Sequence, residues 1–223
     1  MPTKRPIREY LTARGTSPFR TWLDSLDVAV RARIQARVLR FETGNLGDHR
    51  AVGDGVWETR CDFGPGYRVY FATVGVSAAT FVDGRRPRSS YCCSAETRRL
   101  NARTFVGPGS TGPTTWRRHT VARRSRDWNR GLAEDLRDVD FAREFLLAAI
   151  DEGVSVQRAL GKVVRATGVK ELAAKVCMAS PNVVRAINPR HNPTQETLNR
   201  LLRPFRLRLS LAPIEQHGSR HAA

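Results

Sequence analysis

Residues 171–187, ELAAKVCMASPNVVRAI, gather several polar side chains on one short stretch: the Ser180 hydroxyl, the Asn182 amide and the Arg185 guanidinium, with Asn188 immediately after. These are the groups that read base edges in the DNA major groove and hold phosphate oxygens. The spacing around them is that of two short helices joined by a tight turn, a helix-turn-helix over about 170–189. Leu172, Ala173 and Val176 fall on the inner face of the first helix, Met178 is expected as a buried turn residue, and Val183 and Ile187 anchor the second helix. Ser180 and Pro181 read as the N-cap and first-turn pair of that second helix, holding its N-terminus toward a groove. Arg190 and the helix start NPTQETL offer contacts to the phosphate backbone. One position departs from the usual pattern. The turn residue that is normally glycine is Cys177, which must then adopt an uncommon backbone angle. A plain helical bundle with solvated polar faces is the competing reading.

Other chemistry is less well supported. Four cysteines (61, 92, 93 and 177) at irregular spacing in 223 residues make neither a disulfide framework nor a zinc pattern. No metal or cofactor is expected. The basic N-terminus MPTKRPIREY lacks the apolar run of a secretory signal, and no stretch is apolar enough to cross a membrane, which points to a cytoplasmic protein. The formal charge of +17 implies an anionic partner, most simply nucleic acid. That charge is uneven: eleven arginines opposed by Glu96 alone give +10 between Gly84 and Arg126, leaving +7 for the rest.

The elements that must position these groups fall into two blocks. In residues 1–83, Ser17 and Pro18 cap a helix carrying Phe19, Trp22, Leu23 and Leu26. A second helix has Val30, Ile34 and Val38 on one face and Arg31, Arg33, Arg37 and Arg40 around the other, and stops at Gly44–Asn45. GVWETRCDF and YRVYFATVG then alternate around GPG as a hairpin. Two helices followed by antiparallel strands make a small α+β domain. Residues 127–217 read as all-helical, with Asp138 and Ser155 as starts and Gly153 and Gly168 as stops. Residues 84–124 separate the blocks, and their arginine-rich, pattern-free composition predicts a disordered linker; residues 218–223 are a tail.

Both blocks resemble known families. FRTWLDSL, ARIQARVLRFETGNLGDHRAVGDGVWETR and GPGYRVYF are similar to a HigB-type toxin of the RelE superfamily. RDWNRGLAEDL, FAREFLLAAIDEG and NPTQETLNRLLRPFRLRLSLAPI, within residues 125–214, resemble a HigA-type antitoxin. Toxin before antitoxin is the order of that gene pair. The resemblance implies a ribosome-dependent mRNA endoribonuclease fused to a DNA-binding autorepressor. On this view Arg60 and Arg68, on neighbouring strands, bind the scissile phosphate without a metal. Tyr67 and Tyr70 would stack or assist proton transfer, although Tyr70 also fits a strand-core residue. The implied partners are operator DNA, ribosome-bound mRNA, a toxin–antitoxin contact within or between chains, and a second copy paired through the antitoxin half. Two functional readings stay open, a repressor carrying a crippled toxin and an active nuclease held by its fused antidote. A general basic nucleic-acid-binding protein is the third.

The toxin ending is absent from the literal sequence. Reading back-translated codons one base earlier from Arg88 recovers it. Ser89 to Cys93 permit V-V-L and L-L-L, Ser94 to Thr97 permit G-G-D-K, Leu100 to Pro108 permit Q-R-E-D-I-R-R-A, and Pro108 to Thr115 permit R-E-Y-W-A-D-Y. The order and spacing are those of the toxin family, which an arbitrary loop would not reproduce. Residues from about 84 to about 120 are therefore expected to be toxin coding sequence in the wrong frame. Cys92 and Cys93 then stand where leucine codons would be, and the N-terminal domain lacks its last strands, leaving a sheet edge unpaired.

Overall fold

The computed structural model describes residues 5–12, 14–53, 56–73, 80–85 and 125–210. Of the segment 84–124, expected as a disordered linker and to about 120 as wrong-frame sequence, residues 86–124 lie outside the described residues, as does the tail 218–223; Gly84 and Arg85 instead end a strand, Thr80–Arg85, so the linker expectation is corrected at its first two positions. What is described is a set of N-terminal strands and helices followed by a helical C-terminal region.

In the first block, α1 (Pro18–Asp24) begins where the Ser17 hydroxyl accepts the Arg20 N–H at 3.1 Å, and Pro18 occupies the first turn, where no N–H is needed. Asp27 caps α2 (Val28–Phe41) by accepting from the Val30 N–H at 3.0 Å. Gly44, at φ +81°, turns the chain after it. The strands are β1 (Ile7–Tyr10), β2 (His49–Gly53), β3 (Val56–Arg60), β4 (Arg68–Thr73) and β5 (Thr80–Arg85). The expected hairpin is β3–β4. Helices followed by strands is not the whole order, however: β1 precedes α1, and β5 lies parallel to it, in a sheet of order β2-β3-β4-β5-β1-β6. Residues 80–85, TFVDGR, whose Asp83–Gly84 pair reads as a turn signal rather than strand, thus sit between β4 and β1.

The sixth strand corrects the all-helical expectation for the second block. Ser125–Asp127 forms β6, antiparallel to β1 with Glu9 opposite Arg126. Three polar residues carry no apolar alternation, so nothing in their own sequence marks them as a strand. Their partners do. Arg8 donates to the Ser125 hydroxyl at 2.7 Å and to its carbonyl at 2.9 Å, and Arg126 Nε donates to Glu9 at 2.7 Å. The β1 edge that the N-terminal block alone would leave open is covered by the C-terminal block.

The helices that follow are α3 (Trp128–Asp135), α4 (Val139–Asp151), α5 (Val156–Thr167), α6 (Val169–Lys175), α7 (Ser180–Ala186) and α8 (Gln195–Leu202). Asp138 caps α4 through the Phe141 N–H at 2.7 Å, and Gly153 (φ +74°) ends it, as the pattern predicts. Their apolar faces do not make a separate core. Ile7, Phe19, Ile34, Phe41 and Phe71 of the first block and Trp128, Leu132, Phe141 and Phe145 of the second belong to one buried cluster. Burial of each such side chain contributes about 1.5–3 kcal/mol.

Helix α2 packs along α4, which revises the reading of Arg31, Arg37 and Arg40 as an outward face, while Arg33 stays exposed as expected. Arg37 is buried, and Arg31 lies over the Phe141 ring, 5.0 Å from its centre. Arg40 pairs with Glu152 at 2.5 Å, while Arg37 Nε lies 3.0 Å from the same carboxylate without the alignment of a hydrogen bond. Further along the junction, Arg20 and Gln35 both donate to Asp135, and Lys162 reaches Glu42 at 2.6 Å and the Asn129 amide oxygen. Buried charges survive only when paired, so each charge on one block requires its counterpart on the other.

Glu9 lies inside this junction, and burial pushes its carboxyl above the ordinary carboxylate range despite the opposing hydrogen bond and charge of Arg126. Because the folded state holds this proton more tightly than the unfolded chain, its contribution to stability is present in acid and is lost as pH rises through the raised value. Glu9→Gln is expected to remove that component. Urea unfolding from pH 4 to 7 should then show a smaller fall in stability with rising pH than the parent chain; an unchanged pH profile would exclude Glu9 as its source.

Candidate nucleic-acid interfaces

Two surfaces carry the polar groups singled out above. The first is α6–turn–α7. Leu172, Ala173 and Val176 are buried beneath α6, and Val183 and Ile187 beneath α7, as their spacing predicts. Between the helices the chain makes a six-residue closing turn: Met178 N–H donates to the Ala173 carbonyl at 3.0 Å and Cys177 N–H to that of Ala174 at 3.2 Å. This arrangement requires a left-handed residue at Cys177, whose φ is +51°. The Cys177 carbonyl then accepts from Arg200 of α8 at 2.7 Å, tying the turn to the following helix.

The left-handed conformation costs an L-residue roughly 1–2 kcal/mol, part of which glycine would return as entropy of the unfolded chain. The Cys177 side chain is exposed and contributes little packing. Cys177→Gly is therefore expected to stabilise the chain by up to about 1 kcal/mol, read as a raised thermal midpoint. A lowered midpoint would mean that the thiol makes contacts outweighing the strain.

Two details of this region differ from expectation. Met178 is half-buried rather than buried, because the turn places it at the margin of the core. Ser180 is not the N-cap. Ala179, with extended φ −67° and ψ 137°, holds that position, and its carbonyl accepts from Asn182 and Val183 at 2.9 and 3.2 Å. The helix thus begins one residue early, without a side-chain cap, and Pro181 sits where its missing N–H has no intrahelical partner to lose.

Along α7 and just beyond it, Asn182, Arg185 and Arg190 are exposed, while Ser180 and Asn188 are half-buried. Ser180, Arg185 and Asn188 line one shallow surface depression with Val184 and His191. Asn188 is already engaged, its side-chain oxygen accepting the Arg190 N–H at 3.0 Å. Gln157 of α5 anchors the end of α7 by donating its amide to the carbonyls of Ala186 and His191, at 3.1 and 2.9 Å. Neither Gln157 nor His191 was legible in the sequence, since both act through residues some thirty positions away.

The second surface is the sheet face turned away from the helices. Val69 and Phe71 of β4 point into the core, so Arg68 and Tyr70 point the other way. Arg60 and Arg68 stand directly opposite each other across β3 and β4, and the backbone of Arg85 in β5 continues that row. Arg60 is exposed; Arg68 and Tyr70 are half-buried. Tyr67 does not join them. It is buried, edge-on to Trp22 with ring centres 6.1 Å apart and beside Phe63 at 5.7 Å, so it is a core residue rather than a stacking platform. The face also holds two residues that the sequence reading passed over. Glu58, with its side chain only 5% exposed, accepts Arg68 Nη1 at 2.9 Å and Arg50 Nε at 2.5 Å. The two-residue step from Glu58 to Arg60 was the signal available for it, because it puts both on one face.

Among the described residues no helix is long and apolar enough to cross a membrane. No family model and no solved structure matches the chain. Over 58 residues, 26% of its length, the chain is 46% identical to an uncharacterized protein of Haemophilus influenzae, of which it spans 59%.

Proposed function

We propose that this chain is a toxin–antitoxin pair fused into one cytoplasmic protein. Its C-terminal half is a sequence-specific DNA-binding repressor, and its N-terminal half is a nuclease-like toxin domain docked against that repressor. The observation that carries the reading is α6–turn–α7: two short helices around a left-handed turn residue, with Asn182 and Arg185 standing exposed on the second. That helix lies in the major groove with its N-terminal residues toward base edges, and two copies of the chain reach half-sites about one helical turn apart. The test is an electrophoretic shift with the DNA upstream of the chain's own gene against a scrambled duplex of equal length. Preferential retardation of the upstream DNA supports the repressor; equal retardation reduces the protein to a general polyanion binder.

The segment 84–120 belongs to the same proposal as toxin coding sequence read in the wrong frame. Sequencing the gene across it decides the point, since the shifted frame must contain the G-G-D-K and Y-W codons. A second reading, an active endoribonuclease restrained by its fused antidote, draws on the Arg60–Arg68 pair, which suits a scissile phosphate. Cleavage of mRNA by the full chain in a translating extract, lost on Arg68→Ala, would favour it over a crippled toxin.

A further inference from the structure

The sheet face turned away from the helices contains a buried carboxylate that neither proposed activity explains. Glu58 is an acid on the same face as two arginines suited to phosphate, where it reduces the local positive charge. Its geometry accounts for it. In register it lies opposite Arg50 on one side and Tyr70 on the other, and a single oxygen, Oε1, receives both Arg50 Nε and Arg68 Nη1. The carboxylate is 5% exposed, whereas the side chains of Arg50 and Arg68 are 62% and 32% exposed. A buried acid therefore anchors two partly exposed side chains, Arg50 through Nε and Arg68 through one terminal nitrogen, Nη1. Free arginines lose much rotamer freedom on gripping a phosphate; held ones lose less.

We infer that Arg50 is a third phosphate-binding residue of this face, beside Arg60 and Arg68, and that Glu58 is the positioning residue holding Arg50 and Arg68 for a single-stranded RNA backbone. The inference rests on the reading of this face as an RNA site. Arg60 and Arg68 occupy one cross-strand row, and Arg50 extends the basic surface to the outer strand β2. Arginine suits this role through its planar fork, which grips phosphate oxygens in pairs. Glu58 acts only through the arginines and touches no substrate.

The sign of one effect separates positioning from simple electrostatics. Removing a negative charge from a phosphate-binding face should strengthen RNA binding if Glu58 acts only as a charge. Removing a positioning residue should weaken it.

The test is binding of a fluorescein-labelled single-stranded RNA 12-mer to the full chain, by anisotropy across a salt series. Arg60→Ala and Arg68→Ala test the RNA site itself, and each is expected to lower affinity several-fold and to reduce the slope of log K against log salt by about 0.7. Arg50→Ala is expected to do the same. Arg50→Lys should recover only part of the loss, since an ammonium carries the charge but not the fork. Glu58→Gln, checked for an unchanged unfolding transition, should weaken binding despite adding to the net positive charge. If Arg60→Ala and Arg68→Ala weaken binding while Arg50→Ala does not, the role of Arg50 is overturned and the RNA site stands. Tighter or unchanged binding by Glu58→Gln overturns its positioning role. Unchanged binding by Arg60→Ala and Arg68→Ala removes the RNA site and the inference with it. Should Glu58→Gln fail to fold, Arg50→Ala and Arg50→Lys still decide the role of Arg50.

Discussion

Asp135→Ala is expected to destabilise the whole chain by about 3–5 kcal/mol, enough to loosen the C-terminal helices from the N-terminal sheet. Asp135 closes α3 at the centre of the junction. Its Oδ1 accepts Arg20 Nη2 at 2.6 Å, and its Oδ2 accepts Arg20 Nη1 and the Gln35 amide, each at 2.7 Å. The carboxylate side chain is 5% exposed and that of Arg20 16%, so little water is available to replace either partner. Truncation strands the buried Gln35 amide and leaves the largely buried Arg20 guanidinium with only the half-exposed Asp24 carboxylate, 3.1 Å from Nε, and the Gly131 carbonyl as partners, so a buried ion pair is broken with little to replace it. Urea unfolding of the full chain measures the loss. Removing both partners, as Arg20→Leu with Asp135→Leu, should cost much less than the sum of the single changes, because no charge is then stranded. Additive losses, or a fall below about 1 kcal/mol for Asp135→Ala, would show that Arg20 swings out to water and that apolar packing alone holds the junction.

Arg185→Ala is expected to lower affinity for the upstream DNA by roughly 10- to 100-fold, the 1–3 kcal/mol typical of a specific base contact. Arg185 is exposed on α7, and arginine and alanine both favour helix, so the substitution should leave the fold intact. That separates it from changes at Val183 or Ile187, which would lose binding by losing the helix. Asn182→Ala, in the first turn of the same helix, should relax discrimination between the upstream and scrambled duplexes as well as weaken binding. A uniform loss on both duplexes would assign these residues to phosphate instead. Unchanged binding for both variants would remove α7 as the recognition helix.

The residues best read from sequence were those whose local pattern already contains its physical reason. Ser17 and Asp138 place caps because their side-chain oxygens accept the N–H three residues on, Pro18 fits the first turn because no N–H is needed there, and Gly153 and Gly168 stop helices at positive φ without a side-chain penalty. Leu172 with Val176, and Val183 with Ile187, are buried because their four-residue spacing leaves each pair on the inner side of its own helix. Even the strain at Cys177 was legible, since the turn demands a left-handed residue whatever its identity.

What failed was every inference that needed a partner from far along the chain. Arg31, Arg37 and Arg40 lie on the polar side of α2, opposite its apolar face, but Phe141 of α4 and Glu152, the residue that caps its end, cover them. Tyr67 offered a ring for stacking until Trp22 and Phe63 enclosed it. Nothing in RDWNRGLAEDL singles out Gly131, yet a Cβ there would stand 3.2 Å from both the Arg20 guanidinium and the Glu9 carboxylate, so it marks the close approach of α3 to the sheet.

The sequence by itself thus determined the individual helices, the β3–β4 hairpin and the polar set on α7, because hydrogen-bonding and apolar periodicity act over a few residues. Only the tertiary structure decided that β6 completes the sheet beside β1, that the two blocks share one core, and that Glu58 holds two arginines with one oxygen. These depend on which groups meet across 8 to more than 100 residues of chain, and a buried charge or an unpaired strand edge reveals its need for a partner without revealing where that partner lies.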